Sequence, residues 1–179
     1  RCQNFTLSPV AEAEIKEALV TRFALQEERA SLLAHLARGR VGWALEAASQ
    51  GELLAQHQQT LDELVPVPDE NIAQRLAFAQ QLVGMYYRDK VAFKELLDTW
   101  QTWWRDTLLM KIGLGELLCN QDKQELLLRE SDRTTYEEAL GFIRNLQGAW
   151  KNLEWNANPR MVLDLLLLGV PKSYERLKA

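Results

Sequence analysis

Apolar residues recur every three or four positions along almost the whole chain, which is the spacing of helices with one buried face. The clearest case is a helix predicted over about residues 90–112. Its apolar stripe comprises Phe93, Leu97, Trp100, Trp104 and Leu108, and Leu96, Trp103 and Met110 widen it. A stripe this wide predicts contact with more than one neighbouring helix. The polar stripe continues through Arg105 and Asp106, which the pattern predicts to be a charge pair facing solvent.

The same periodicity predicts helices over most of the remaining chain. They cover about residues 9–22, 26–38, 41–64 with a bend at Gly51, 69–88, 134–154 and 159–168, with shorter pieces near 114–118 and 123–129. Ser8 and Pro9 are suited to begin the first helix, and Asn158 and Pro159 the last. No β-strand is needed beyond an extended piece at residues 4–7, so the sequence predicts an all-α protein.

Two of these helices carry specific expectations about burial. In the helix from about residue 69, the predicted buried face comprises Ile72, Leu76, Ala79 and Val83. The last helix is apolar nearly all round, so it is expected to be buried. Adjacent Trp103 and Trp104 cannot both face one side of a helix, which makes one of them a candidate interface anchor together with Arg105.

Prolines divide the helical pattern into two parts. Pro66 and Pro68 lack backbone donors and push the preceding residues out of the helical region. The predicted organisation is a small three-helix unit over residues 1–64, a linker at 65–68, a helical bundle over 69–170 and a loose tail at 171–179.

Charge and composition exclude several classes of function. The net charge is −4, and Lys and Arg are scattered, so the chain has no electrostatic footprint for binding nucleic acid by itself. No run approaches the roughly 20 apolar residues of a membrane span. Cys2, Cys119, His35 and His57 match no metal-site spacing, and the cysteines suit a reducing cytoplasm. We therefore expect no cofactor, no metal, no membrane partner and no catalytic constellation.

Three segments, taken in order, resemble one family, the delta-prime subunit of the bacterial DNA polymerase III clamp loader. They are Arg1-Cys2-Gln3-Asn4-Phe5-Thr6-Leu7, then Ala37-Arg38-Gly39-Arg40-Val41-Gly42-Trp43-Ala44-Leu45, and finally residues 103–122 together with Asn156-Ala157-Asn158-Pro159-Arg160-Met161-Val162-Leu163. The resemblance implies that residues 1–64 are the remnant of an AAA+ lid domain and residues 69–170 an oligomerising collar domain.

The resemblance also implies a function and partners. The chain would be a non-catalytic assembly part of a DNA replication complex, binding the gamma/tau and delta subunits through its collar. The sliding clamp and DNA would be reached only indirectly, through the whole complex. The phosphate loop of an ATPase does not occur in this sequence. Because the chain begins without Met, we expect a fragment preceded by a Ser and an ATPase-type core of roughly 150 residues.

Two residues receive roles from the resemblance. Arg1 would be the arginine finger offered in trans to a neighbour's ATP site, where a guanidinium stabilises charge on the transferred phosphoryl group. Gly42 stands where ATP-binding relatives carry a nucleotide-sensing arginine, which favours delta-prime over gamma or tau. A gamma/tau fragment and a free-standing helical adaptor remain the alternative interpretations.

Overall fold

The computed structural model describes residues 8–172; residues 1–7 and 173–179 lie outside the described part. Within it the secondary structure is helical and includes no β-strand, which confirms the all-α prediction. The α-helices are α1 Glu12–Phe23, α2 Glu27–Ala37, α3 Val41–Gln50, α4 Glu52–Leu64, α5 Ile72–Arg88, α6 Lys90–Lys111, α7 Gln124–Arg133, α8 Tyr136–Glu154 and α9 Pro159–Leu168. Short 3₁₀ helices occupy Val67–Asp69, Gly115–Leu117 and Gln121–Lys123.

Contacts divide the chain into two compact units. Within the described residues, the first comprises residues 8–56 and 119–122, and the second comprises residues 57–118 and 123–172. The division therefore falls within α4, and Leu61, Leu64 and Val67 belong to the core of the second unit. The domain bounds proposed above, at residues 64 and 69, stay a prediction.

The first unit packs α1, α2 and α3 around a core of small side chains. The buried residues of this core are Ile15, Leu19, Ala30, Leu33, Ala34, Ala37, Ala44 and Ala47. The predicted start of the first helix is wrong, because α1 begins at Glu12 and Ala11 is its N-cap residue. Ser8 to Val10 remain non-helical, and the backbone N–H of Val10 donates to the Gly39 carbonyl at 3.2 Å.

The turn between α2 and α3 requires a glycine at one position. Arg38 and Gly39 both adopt left-handed conformations, with φ of 51° and 80°. A Cβ at position 39 would lie 2.5 Å from Pro9 Cβ and 3.1 Å from Pro9 Cα, closer than side chains approach. Gly39 therefore allows both the turn and the contact of the N-terminal segment with it.

In the second unit, α6 packs against α5, α7 and α8, and α9 packs against α5 and α8. The predicted wide apolar stripe of α6 is confirmed, since Phe93, Leu97 and Trp100 are buried in the core. Ring centroids of Trp100 and Trp104 lie 5.0 and 5.3 Å from that of Phe142, in edge-to-face geometry. Such pairs add to the stabilisation that burial of the rings already provides.

The buried face of α5 differs from the predicted one. It comprises Arg75, Ala79, Leu82 and Tyr86, whereas Ile72 is exposed. The helix is rotated so that the Arg75 guanidinium, rather than Ile72, enters the interior. Ile72 was predicted to be buried because it lies at helical spacing from Leu76, Ala79 and Val83, and of these Ala79 is buried as predicted.

The expected burial of α9 is also wrong in part. Val162, Leu163, Leu166 and Leu167 are buried, but the opposite side of the helix faces solvent. The predicted start at Asn158 and Pro159 is confirmed, since the Asn158 side chain accepts from the backbone N–H of Arg160 at 2.9 Å.

Candidate interaction site

Both tryptophans of the segment 103–106 are buried. The side chains of Trp103 and Trp104 are 1% and 0% exposed. The expectation that one of them remains available to a partner is wrong, because α6 has helices of its own unit on several sides. The indole of each therefore packs within this chain, and neither is retained as an interface anchor.

Arg105 and Asp106 differ sharply in environment. Asp106 is completely buried, whereas the side chain of Arg105 is 43% exposed. The Arg105 Nη1 atom donates to Asp106 Oδ1 at 3.2 Å. The prediction of a solvated charge pair is thus wrong for Asp106. Since a buried carboxylate needs compensation, the guanidinium at the surface supplies part of it. That Arg105 contacts a partner protein stays a prediction.

Polar residues next to this pair are tied to their own helix. Thr102 Oγ1 donates to the Asp98 carbonyl at 2.7 Å, and Thr107 Oγ1 donates to the Trp103 carbonyl at 3.1 Å. At the end of α6, Lys111 Nζ donates to the Ser131 carbonyl at 2.6 Å. That bond links α6 to α7. The arrangement orders the helix and supplies no nucleophile paired with a base.

A groove of about 460 Å³ lies in the second unit, beside α7. It is lined by Val65, Pro66, Asp69, Leu126, Arg129, Glu130, Asp132 and Arg133. Arg133 and Asp69 form a two-point ion pair at its rim, with Nη1 3.3 Å from Oδ2 and a second contact between Nη2 and Oδ1. Burial raises the pKa of Glu130, and the hydrogen bond from Thr134 Oγ1 at 3.1 Å opposes that shift. The groove thus combines paired charges with one buried carboxyl group.

Arg75 joins three parts of the second unit. Its guanidinium donates to the carbonyls of Val170 at 2.7 Å, Pro68 at 2.9 Å and Glu70 at 3.2 Å. A longer bond of 3.5 Å reaches the carbonyl of Pro171, the first residue of the predicted tail. Burial lowers the pKa of Arg75, and the nearby charges of Glu70 and Asp69 oppose that shift. The residue orders the ends of α5 and α9 against each other.

In the first unit, α3 has an open position at Gly42. A Cβ built there meets no atom of the described residues within 4 Å. Arg40 stays close to its own turn, since its Nε donates to the Ala37 carbonyl at 3.1 Å and its guanidinium lies 5.9 Å from the Trp43 ring. Unlike Gly39, Gly42 has no packing reason to lack a side chain.

The structure describes some of the remaining candidate residues and not others. Arg1, the proposed trans arginine finger, lies outside the described residues. His35 Nδ1 lies 2.7 Å from Glu12 Oε2, and Cys119 is buried. Between residues 8 and 172, His, Cys, Asp and Glu form no group of three or more that could hold a metal ion. None of the helices in that range combines the length and apolar character needed to cross a bilayer.

Sequence reasoning missed that Arg75 is buried and that one side of α9 faces solvent. Arg75 carried a weak signal, because it lies four positions before Ala79 and therefore on the same helical face. The local pattern of α9 carried one signal, because Asp164 lies three positions after Met161 and four before Leu168 and therefore on the side that faces solvent. Comparisons of the chain with protein-family models, curated proteins and solved structures found no match.

Proposed function

We propose that this chain is the non-catalytic assembly part of a delta-prime subunit of a bacterial DNA polymerase III clamp loader. It would bind the gamma/tau and delta subunits and support loading of the sliding clamp onto DNA during replication. The sequence resemblance is the basis of the proposal, and a cytoplasmic location goes with it.

One structural observation supports the proposal most. The segment 103–106, which carries the strongest part of the resemblance, lies in the helix around which the second unit is packed. Its tryptophans fill the interior and Asp106 is buried beside Arg105. Because residues 103–106 pack in the interior, they would mark the fold of an assembly domain and not a catalytic site.

The open position at Gly42 favours delta-prime over gamma or tau. A side chain at this position would meet no described atom, so glycine is not required there for packing. In ATP-binding relatives the corresponding arginine senses nucleotide. Its replacement by glycine suits a subunit that does not hydrolyse ATP.

Equilibrium binding tests the proposal. The 179-residue chain is titrated with purified gamma, tau and delta subunits of a bacterial clamp loader, and with serum albumin as a control. Saturable binding to at least one clamp-loader subunit is expected. Binding to none of the three would overturn the proposal and leave the helical adaptor as the better interpretation.

The role of Arg1 needs the assembled complex for its test. In a clamp loader containing the full-length subunit, we expect Arg1→Ala to slow ATP hydrolysis, since a trans arginine finger is worth roughly 10³ to 10⁵ in rate. Arg40→Ala serves as a matched control, because Arg40 is held against its own turn. Equal rates for wild type and Arg1→Ala would remove the arginine finger from the proposal.

A further inference from the structure

The groove beside α7 carries charged groups at two depths. Glu130 lines its buried side and is 6% exposed, whereas Arg129 and Asp132 line the same groove and are exposed. The apolar part of the lining is formed by Val65, Pro66 and Leu126. With a volume of about 460 Å³, the groove has the size of sites that hold small molecules, which span roughly 300–1,000 Å³.

Glu130 keeps one carboxylate oxygen open to a ligand. Its Oε1 atom accepts a hydrogen bond from Thr134 Oγ1 at 3.1 Å, while Oε2 accepts none from a described residue. A buried carboxylate is stabilised in its ionised form by a cation beside it. Arg133 is not available for this contact, because both of its terminal nitrogens contact Asp69. A cationic group of a ligand would therefore complete the surroundings of Glu130.

Arg129 and Asp132 are two adjacent charges of opposite sign. They lie three positions apart on α7, so their side chains start from neighbouring points of the helix surface. Neither forms a hydrogen bond or an ion pair with another residue between 8 and 172. An α-amino acid carries a carboxylate and an ammonium group on a single carbon atom. Its head therefore matches this pair, with the carboxylate on Arg129 and the ammonium on Asp132.

The charge of the lining specifies the rest of the ligand. Three carboxylates and two guanidinium groups line the groove, so a ligand with one net positive charge would neutralise it when Glu130 is ionised. A free amino acid with a cationic side chain has that charge. A guanidinium group presents donors that suit a carboxylate, and an aliphatic stem suits the apolar lining. In a peptide the α-ammonium and α-carboxylate become amides, which would leave Arg129 and Asp132 without charged partners.

We propose that the groove beside α7 binds a free basic α-amino acid of the arginine type. Glu130 accepts hydrogen bonds from the side-chain cation, Arg129 binds the α-carboxylate and Asp132 binds the α-ammonium group. Leu126 and Val65 contact the aliphatic stem. The inference goes beyond the proposed function and does not depend on it.

Isothermal titration of the 179-residue chain with L-arginine tests this site. We expect saturable binding with a Kd of about 1 mM or below, as for a small ligand of modest efficiency. L-Citrulline has nearly the same shape but a neutral side chain, and agmatine lacks the carboxylate. Each should bind about tenfold more weakly, because each loses one charge-assisted contact.

Variants assign the contacts to individual residues. Arg129→Ala and Asp132→Asn change exposed side chains, and each should weaken binding of L-arginine about tenfold. Arg144→Ala, at an exposed position of α8, is the matched control and should bind like the wild type. Glu130→Gln should weaken binding of L-arginine but leave binding of L-citrulline unchanged. That selective loss would show a direct contact, since a general disturbance of the groove would weaken both ligands.

Several outcomes would overturn the inference. They are no saturation with L-arginine at millimolar concentrations, equal binding of L-citrulline or agmatine, and an equal loss for Arg144→Ala and Arg129→Ala. N-acetyl-L-arginine amide is the last probe. If it binds as tightly as L-arginine, the occupant is an arginine side chain of a protein and the inference is wrong. Circular dichroism melting checks that every variant remains folded.

Discussion

The two units have cores of very different composition. The first is packed mainly with alanines, which let α1, α2 and α3 approach closely but provide little apolar area. The second is packed with Trp100, Trp103, Trp104 and Phe142, whose rings supply large apolar areas. Stability in the second unit thus depends on filling a large volume. In the first it depends on how closely the backbones approach.

This difference also changes which positions are sensitive to substitution. In the first unit the critical feature is that Gly39 has no Cβ, because a Cβ there would collide with Pro9. In the second unit the critical groups are large rings and a buried carboxylate, Asp106, beside Arg105. A close-packed interior is destabilised both by lost volume and by added volume. We expect the first unit to be sensitive mainly to added volume and the second mainly to lost volume.

The largest effect is expected from Trp104→Ala. Removing a fully buried indole leaves a cavity, and we expect the free energy of unfolding to fall by about 3–5 kcal/mol. Urea denaturation measures it, and hydrogen exchange of α6 amides locates it in the second unit. Trp155→Ala is the matched control, because Trp155 is 72% exposed and its loss should change the free energy by less than about 1 kcal/mol. A loss below about 1 kcal/mol for Trp104→Ala would contradict the view that rings dominate this core.

An intermediate effect is expected from Gly39→Ala. The new methyl group would meet Pro9 and occupy a residue with φ of 80°, so we expect destabilisation of about 2 kcal/mol. Gly42→Ala, three residues further on, is the control. It adds a methyl group in open space at the start of α3 and should stabilise that helix by about 0.5–1 kcal/mol. Hydrogen exchange of amides in α1 to α3 measures both changes. Effects of the same sign would show that close backbone approach is not what limits the first unit.

The smallest effect is expected from Glu130→Gln, and it depends on pH. Because burial raises the folded-state pKa of Glu130 above 4.5, the native state holds this proton more tightly than the unfolded chain does. The wild-type protein should therefore lose stability as the pH rises from 4.5 through the raised pKa. Glutamine does not titrate, so the variant should gain stability relative to wild type over that range. Urea denaturation at several pH values measures this difference, with Glu95→Gln at an exposed position of α6 as the control. A difference that does not change with pH would contradict the buried environment of Glu130.

Local patterns predicted most of the helices. The bend at Gly51, the start of α9 at Asn158 and Pro159, and the wide buried stripe of α6 all follow from residue type and spacing. These features depend on backbone conformation and on helical period, and both are properties of a short segment. The class of the fold was predictable for the same reason.

The environment of polar residues was not predictable in this way. Asp106 lies within a polar stripe, yet it is buried beside Arg105. Arg75 enters the interior because carbonyl groups from residues 68, 70, 170 and 171 converge on it. Acceptors so far apart in sequence come together only in the folded chain. The predicted face of α5 was wrong at Ile72 for this reason, whereas Ala79 is buried as predicted.

The sequence by itself therefore determined the all-α class, the helical periods and the resemblance on which the proposed function rests. Tertiary structure decided which face of each helix is buried, which charged side chains enter the core and which apolar residues remain outside. Helix formation depends on neighbours within a few positions, whereas burial depends on what the rest of the chain brings alongside. The exposed stripe of α9 is the clearest example, because its leucines resemble those of a core until the packing of α5 and α8 covers only one side.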